Sequence, residues 1–211
     1  MLEIEYKGGN GVIISTKKTT IVVDPKLSVV GLKDIKTNDE IELATEARFA
    51  VDNTDARIII KSPGEYEVGD FTIRGIGAVR HLDADVGEKL STIYRLETTE
   101  FRLAVIGNIS SKLDDEQLES VGVVDILILP VGGNGYTLDA VSAAAIARQI
   151  EPKVVVPVHY SDKGLKYEVP QDDLDLFVKE LGAPHQTESK YKIKSESMLP
   201  AGLTVVEISR S

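Results

Sequence analysis

The spacing of apolar and polar positions changes part-way along this chain. Leu2, Ile4 and Tyr6 alternate with Glu3 and Glu5, the period of a half-buried strand. Gly8, Gly9, Asn10 and Gly11 form a turn cluster, after which 12–15 and 20–23 read as strands joined by a hairpin at Lys17 and Lys18. Asp24-Pro25 ends the second strand; 27–38 reads as a loop and 39–49 as a short helix capped by Asn38 or Asp39. Strands are expected at 57–61, 65–68, 71–76, 92–96 and 101–106, with a tight hairpin at Gly69-Asp70. A polar loop at 77–89 carries His81, Asp83 and Asp85.

Strand and helix alternate in the later part. A helix over 113–121 starts near Ser110 or Ser111 and ends near Gly122. The apolar run 126–129 suits a buried strand, and Gly132, Gly133 and Gly135 follow it in a loop whose backbone can take positive φ. Thr137 reads as the N-cap of the next helix, with Asp139 in its first turn, and Pro152 stops that helix. Leu138, Val141, Ala145, Ile146 and Ile150 give it an apolar face. A second buried strand at 154–156 delivers His159 just past its end, where α/β folds commonly build sites. A helix over 172–181 and strands near 191–194 and 203–208 close the chain, and His185 reads as surface loop. Hairpin-like strands followed by alternating strand and helix point to an α/β (α+β) chain of two packed sheets with helices outside, as a single domain over 1–211.

Composition narrows the function classes. The 211 residues carry a net charge of −10, which opposes binding to a nucleic-acid backbone. Cysteine is absent, which removes disulfides, thiolate metal sites and a Cys nucleophile. No apolar run approaches the roughly 20 residues of a membrane span, and the N-terminus lacks a signal-like core. The expectation is a cytoplasmic protein whose partner is a small molecule or another protein, with no nucleic acid and no membrane; a homo-oligomer is compatible. Lys190, Lys192 and Lys194 alternate along the last part of the chain as on the solvated face of an edge strand.

Four polar residues stand just beyond apolar runs: Asp24, His81, Asn108 and His159. If those runs are neighbouring strands, the four converge on one sheet edge, and two His with an Asp are usual ligands for zinc or iron. A histidine after a strand is also an ordinary hydrogen-bonded structural residue. The loop Gly132, Gly133, Asn134 and Gly135, leading into a helix, is a candidate anion-binding loop; simple turn geometry is the alternative.

Several segments together resemble the metallo-β-lactamase superfamily, in particular the branch of small zinc-dependent hydrolases related to ascorbate-6-phosphate lactonase. They are IVVDP at 21–25, PGEYEVGDFTIRGI at 63–76, His81 at the place of a His-Asp pair, STIY at 91–94, Gly107-Asn108, 125–133, and PVHY at 157–160. The resemblance implies a four-layer αββα sandwich with a metal site at one edge. It also exposes departures. In the best register after Thr45, the family's H-x-H-x-D-H is replaced by Glu46, Arg48, Ala50 and Val51. Asn108 stands where the family has a metal-bridging Asp, and Gly8-Gly9 where the branch often has Gly-His. Only His81 and His159 survive as expected ligands, whereas a catalytic zinc takes about three protein ligands.

Two readings follow. In the first, Asp24, Glu46, Arg48, His81, Asn108 and His159 form a vestigial site with no metal expected, serving a binding, scaffolding or regulatory role. Arg48 then points into the cleft and pairs with a carboxylate. In the second, a residual hydrolase uses His81 and His159 with zinc and an acid such as Asp24 or Asp83, or acts without metal.

Overall fold

The computed structural model describes residues 1–83 and 90–211, so Asp85 lies outside the described residues. The first sheet contains β1 (Leu2–Gly8), β2 (Gly11–Ser15), β3 (Thr20–Val23), β4 (Ile41–Leu43), β5 (Ile58–Ile60) and β13 (Tyr191–Ile193), in spatial order β13-β1-β2-β3-β4-β5. The second contains β6 (Gly64–Val68), β7 (Phe71–Ala78), β8 (Ser91–Glu97), β9 (Arg102–Val105), β10 (Ile126–Pro130), β11 (Val154–Val158), β12 (His185–Glu188) and β14 (Thr204–Ile208), in order β12-β14-β11-β10-β9-β8-β7-β6. Helix α1 (Asp115–Val121) packs on β7, and α2 (Ala140–Ile150) packs on β10 and on α3 (Leu174–Leu181). Among the described residues, no helix is long and apolar enough to cross a membrane.

Alternation builds the interface between the sheets. Leu2, Ile4 and Tyr6 face inward on β1 and are buried, while Glu3 and Glu5 face out and pair with Lys190 and Lys192 from the β13 edge. Ile21, Val23, Ile41, Leu43 and Ile60 join the same core as Ile73, Ile93 and Leu96 from the second sheet. All five residues of β10 and of β11 are buried, as expected for parallel strands covered on both faces.

Several boundaries differ from the sequence expectation. The helix expected at 39–49 is instead β4, followed by a 3₁₀ turn at Ala47–Phe49. Ile41 and Leu43 insert between the parallel neighbours β3 and β5, and the buried Glu42 accepts backbone N–H groups from Val51 and Asp52 at 2.8 and 3.0 Å. The cap of α2 is Asp139, not Thr137: its carboxylate accepts from Ser142 N at 2.7 Å. Helix α1 is capped by Asp114, with Gln117 completing a capping box. His185 lies in the exposed edge strand β12, 3.1 Å from Glu207, and not in a loop.

Tyr94 on β8 reaches across to the first sheet, where its buried hydroxyl lies 3.0 Å from Ala44 O and 3.1 Å from Ile60 O. Ile60 O already accepts from Ala44 N, so Tyr94→Phe leaves chiefly the Ala44 carbonyl without a partner. The expected cost is about 1–2 kcal/mol, read as a lower urea midpoint with an unchanged m-value.

Candidate functional site

The parallel strands β3, β4, β9, β10 and β11 end at one edge of the sandwich, and the β1–β2 turn folds over the same edge. Asp24 follows β3 and His159 follows β11; both adopt left-handed backbone, with φ of 47° and 52°. Asp and His are among the residues that tolerate that region better than most. The backbone fixes these turns: Asp24 N donates to Leu43 O at 2.8 Å and His159 N donates to Gly9 O at 2.9 Å.

Thr45, just beyond β4, binds Asp24 through both its backbone N–H (2.7 Å) and its hydroxyl (2.6 Å). Its carbonyl accepts Thr92 N at 2.8 Å and the Ser91 hydroxyl at 3.2 Å from the second sheet. Gly107 fits against it because a Cβ there would come within 2.5 Å of the Thr45 hydroxyl. Next in the chain, Glu46 is almost fully buried and receives Arg48 Nε at 2.8 Å, Arg48 Nη2 at 3.3 Å, Arg80 Nη1 at 3.3 Å and Asn108 Nδ2 at 3.3 Å. Asn108 Oδ1 accepts from Asn10 Nδ2 at 3.2 Å. The Arg48 guanidinium lies over the Phe49 ring at 4.7 Å and near the Tyr136 ring at 5.3 Å.

His159 is buried between two aromatic rings: Tyr136 stacks on it at 5.3 Å and Tyr167 tilts over it at 4.9 Å. Its Nδ1 lies 3.0 Å from Gln171 Oε1. Gln171 Nε2 donates to Val169 O, so Oε1 accepts and Nδ1 carries the proton. Nε2 of a neutral imidazole then keeps its lone pair. Burial, partly offset by Gln171, pushes the His159 imidazole down to about 4. Burial pushes the Asp24 carboxyl up to about 7, against the two Thr45 hydrogen bonds.

A cleft of about 90 Å³ opens here, and Asp24, Arg48, His159, Asn10, Lys26, Tyr136 and Tyr167 are among its lining residues. Glu46 and Asn108 sit behind it. His81 lies beside Asn108, its N–H donating to Asn108 O at 2.8 Å, and its buried Nδ1 has no partner among the described residues. The backbone of Asp83 closes the turn after His81. The glycine loop is tied down by internal hydrogen bonds. Gly133 N donates to Leu138 O, Asp139 already caps the helix, and the Asp172 carboxylate takes Asn134 Nδ2 at 2.9 Å. The Asp139 and Asp172 carboxylates thus lie beside the loop Gly132, Gly133, Asn134 and Gly135. Sequence reasoning missed Asn10, Lys26, Arg80, Tyr136, Tyr167 and Gln171. Only Asn10, inside the glycine turn, and Arg80, next to His81, had a local signal.

Residues 3–159 match the beta-lactamase superfamily domain. The chain belongs to that superfamily. It is 30% identical over 112 residues to the UPF0173 metal-dependent hydrolase of Carboxydothermus hydrogenoformans, a match that covers 46% of this chain and 45% of that protein, under half the relative's length. In three dimensions it is similar to a protein of Thermotoga maritima assigned as a Zn-dependent hydrolase of the metallo-β-lactamase superfamily. The TM-score is 0.77 at 20% identity, covering 99% of this chain and 100% of the other. It is also similar to Igni18, a metallo hydrolase of Ignicoccus hospitalis, with a TM-score of 0.67 at 16% identity and coverage of 99% and 95%. The two-sheet metallo-β-lactamase architecture expected from the sequence is therefore present.

The two buried groups give opposite pH dependences. For Asp24 the folded value of about 7 exceeds the ordinary value, so its contribution to stability is present below about pH 4 and is lost as pH rises towards 7. For His159 the folded value of about 4 lies below the ordinary one, so its contribution is present above about pH 6.5 and is lost as pH falls towards 4. Between these limits the slopes oppose each other in the wild type. Asp24→Asn removes one of them: relative to wild type, it gains about 2–3 kcal/mol between pH 5 and pH 8. Urea melts at the two pH values measure this, and a pH-independent difference would show that Asp24 is ionised throughout.

Proposed function

We propose that this superfamily member uses its sheet-edge site as a binding cleft built around an ion-pair cluster, in a binding, scaffolding or regulatory role, and not as a metal centre. The observation that carries this reading is Glu46, whose buried carboxylate is already surrounded by Arg48, Arg80 and the Asn108 amide. The donor set does not suit a dication. Among the described residues of the site, both Asp24 oxygens accept from Thr45, Asn108 is neutral and engaged on both amide atoms, and only His159 Nε2 and His81 offer ring nitrogens. A divalent ion near Glu46 would face two permanent guanidinium charges. A cytoplasmic location and a small-molecule or protein partner accord with this reading.

The second reading is a hydrolase. It draws support from the His159 Nε2 lone pair in the same cleft as Asp24, and from relatives named metal-dependent hydrolases. Elemental analysis of the untagged protein separates the two readings. The expected result is well under one zinc or iron per chain, and a value near one would overturn the first reading. The variant Glu46→His with Arg48→His and Asn108→Asp is expected to raise zinc content, because it restores ligands where guanidinium now sits.

Arg48→Ala tests the cluster itself. Breaking a buried pair commonly costs 3–5 kcal/mol, but Arg80 stays with Glu46 and the Arg48 side chain is 35% exposed. The expected loss is therefore about 2 kcal/mol by denaturant melt. An unchanged midpoint would mean that the pair does not hold the site together.

A further inference from the structure

The cleft contains hydrogen-bonding groups that the protein itself does not satisfy. Asn10 is 8% exposed, its Nδ2 goes to Asn108, and its Oδ1 is buried without a donor. Half-buried Lys26 lines the same cleft and forms no ion pair among the described residues. Arg48 commits Nε and Nη2 to Glu46 and keeps further N–H donors at the cleft. Two cations thus lack a full set of acceptors, and one buried acceptor lacks a donor. An unmatched buried acceptor is costly unless something supplies a hydrogen.

We propose that the cleft binds a small hydroxycarboxylate, its carboxylate held by Lys26 and Arg48 and its hydroxyl donating to Asn10 Oδ1. This rests on reading the site as a binding cleft and not a metal centre. Size supports a small ligand head: the cleft of about 90 Å³ is smaller than the roughly 150 Å³ cavity that holds benzene. It encloses a carboxylate and the adjoining hydroxylated carbon, and the rest of the molecule lies against Tyr136, Tyr167, Leu27 and Val30. A ligand cation is opposed by Lys26 and Arg48, and a neutral alcohol leaves them without an anion. Two carboxyl groups also line the cleft. Asp24 is engaged by Thr45 on both oxygens, and Glu168 is exposed.

The test is an NMR shift titration of the full, chelator-treated chain with lactate, acetate, 1,2-propanediol and inorganic phosphate, with metal content measured on the same sample. Lactate is expected to saturate shifts at Asn10, Lys26 and His159 and to bind about ten-fold or more tightly than the other three. Lys26→Met weakens lactate about ten-fold without moving the melting temperature, and Asn10→Ser brings lactate down to the affinity of acetate. No saturable shift, equal affinity for lactate and acetate or phosphate, or an unaffected Lys26→Met would overturn the assignment. Failure of lactate in metal-free protein sinks this inference and leaves the binding-cleft reading standing. About one metal ion per chain sinks that reading, and lactate binding that returns only with added zinc assigns the carboxylate to the metal and overturns the role of Lys26.

Discussion

Thr45 is the joint on which this structure depends. One residue closes the turn after β4, satisfies both oxygens of Asp24, and accepts from Ser91 and Thr92 on the opposite sheet. Its fit requires Gly107 on one side, and the Tyr94 hydroxyl binds the carbonyl of the preceding residue, Ala44. A buried carboxylate is costly in an apolar interior, so Asp24 is acceptable there because Thr45 meets it. Through the next residue the same turn fixes Glu46, and through Glu46 the positions of Arg48, Arg80 and Asn108.

The site can therefore be understood as a polar chain running from the sheet junction to the solvent. Asp24, at the cleft wall, is met by Thr45, and Asn108 is matched by Asn10 and Glu46. Behind the cleft the buried Glu46 is balanced by guanidinium groups, and Lys26 and Arg48 face the cleft itself. A buried charge is costly unless it is paired, and the guanidinium groups supply that pairing for Glu46.

Much of this was legible in the sequence, for identifiable reasons. The alternation at Leu2, Ile4 and Tyr6 and the unbroken run of β10 are strong local signals, and the strand-terminal positions of Asp24, Asn108 and His159 follow from them. Arg48 is found on Glu46, whereas the sequence pointed it at a carboxylate without saying which. The segment 39–49 misled because its acidic and alanine residues mimic a helix, while Ile41 and Leu43 answer to the neighbouring strands. Thr137 misled because Ser, Thr and Asp all cap helices, and which one does so depends on where the loop delivers the chain. Gln171 and Tyr167 carried no signal, since nothing local records which loop will lie over His159.

The left-handed backbone at Asp24 and His159 bears on how this superfamily should be compared. Glu46 is in extended backbone and Arg48 lies inside a 3₁₀ turn, conformations open to nearly any side chain. At 24 and 159 only a short list of residue types is comfortable, and Asp and His are on it. Chain geometry is thus by itself a sufficient reason for Asp and His to stand at those two positions, whatever chemistry the site performs. A surviving Asp or His at such a corner is weak testimony for an active centre; the residues in unconstrained backbone are the more sensitive record of what a site now does.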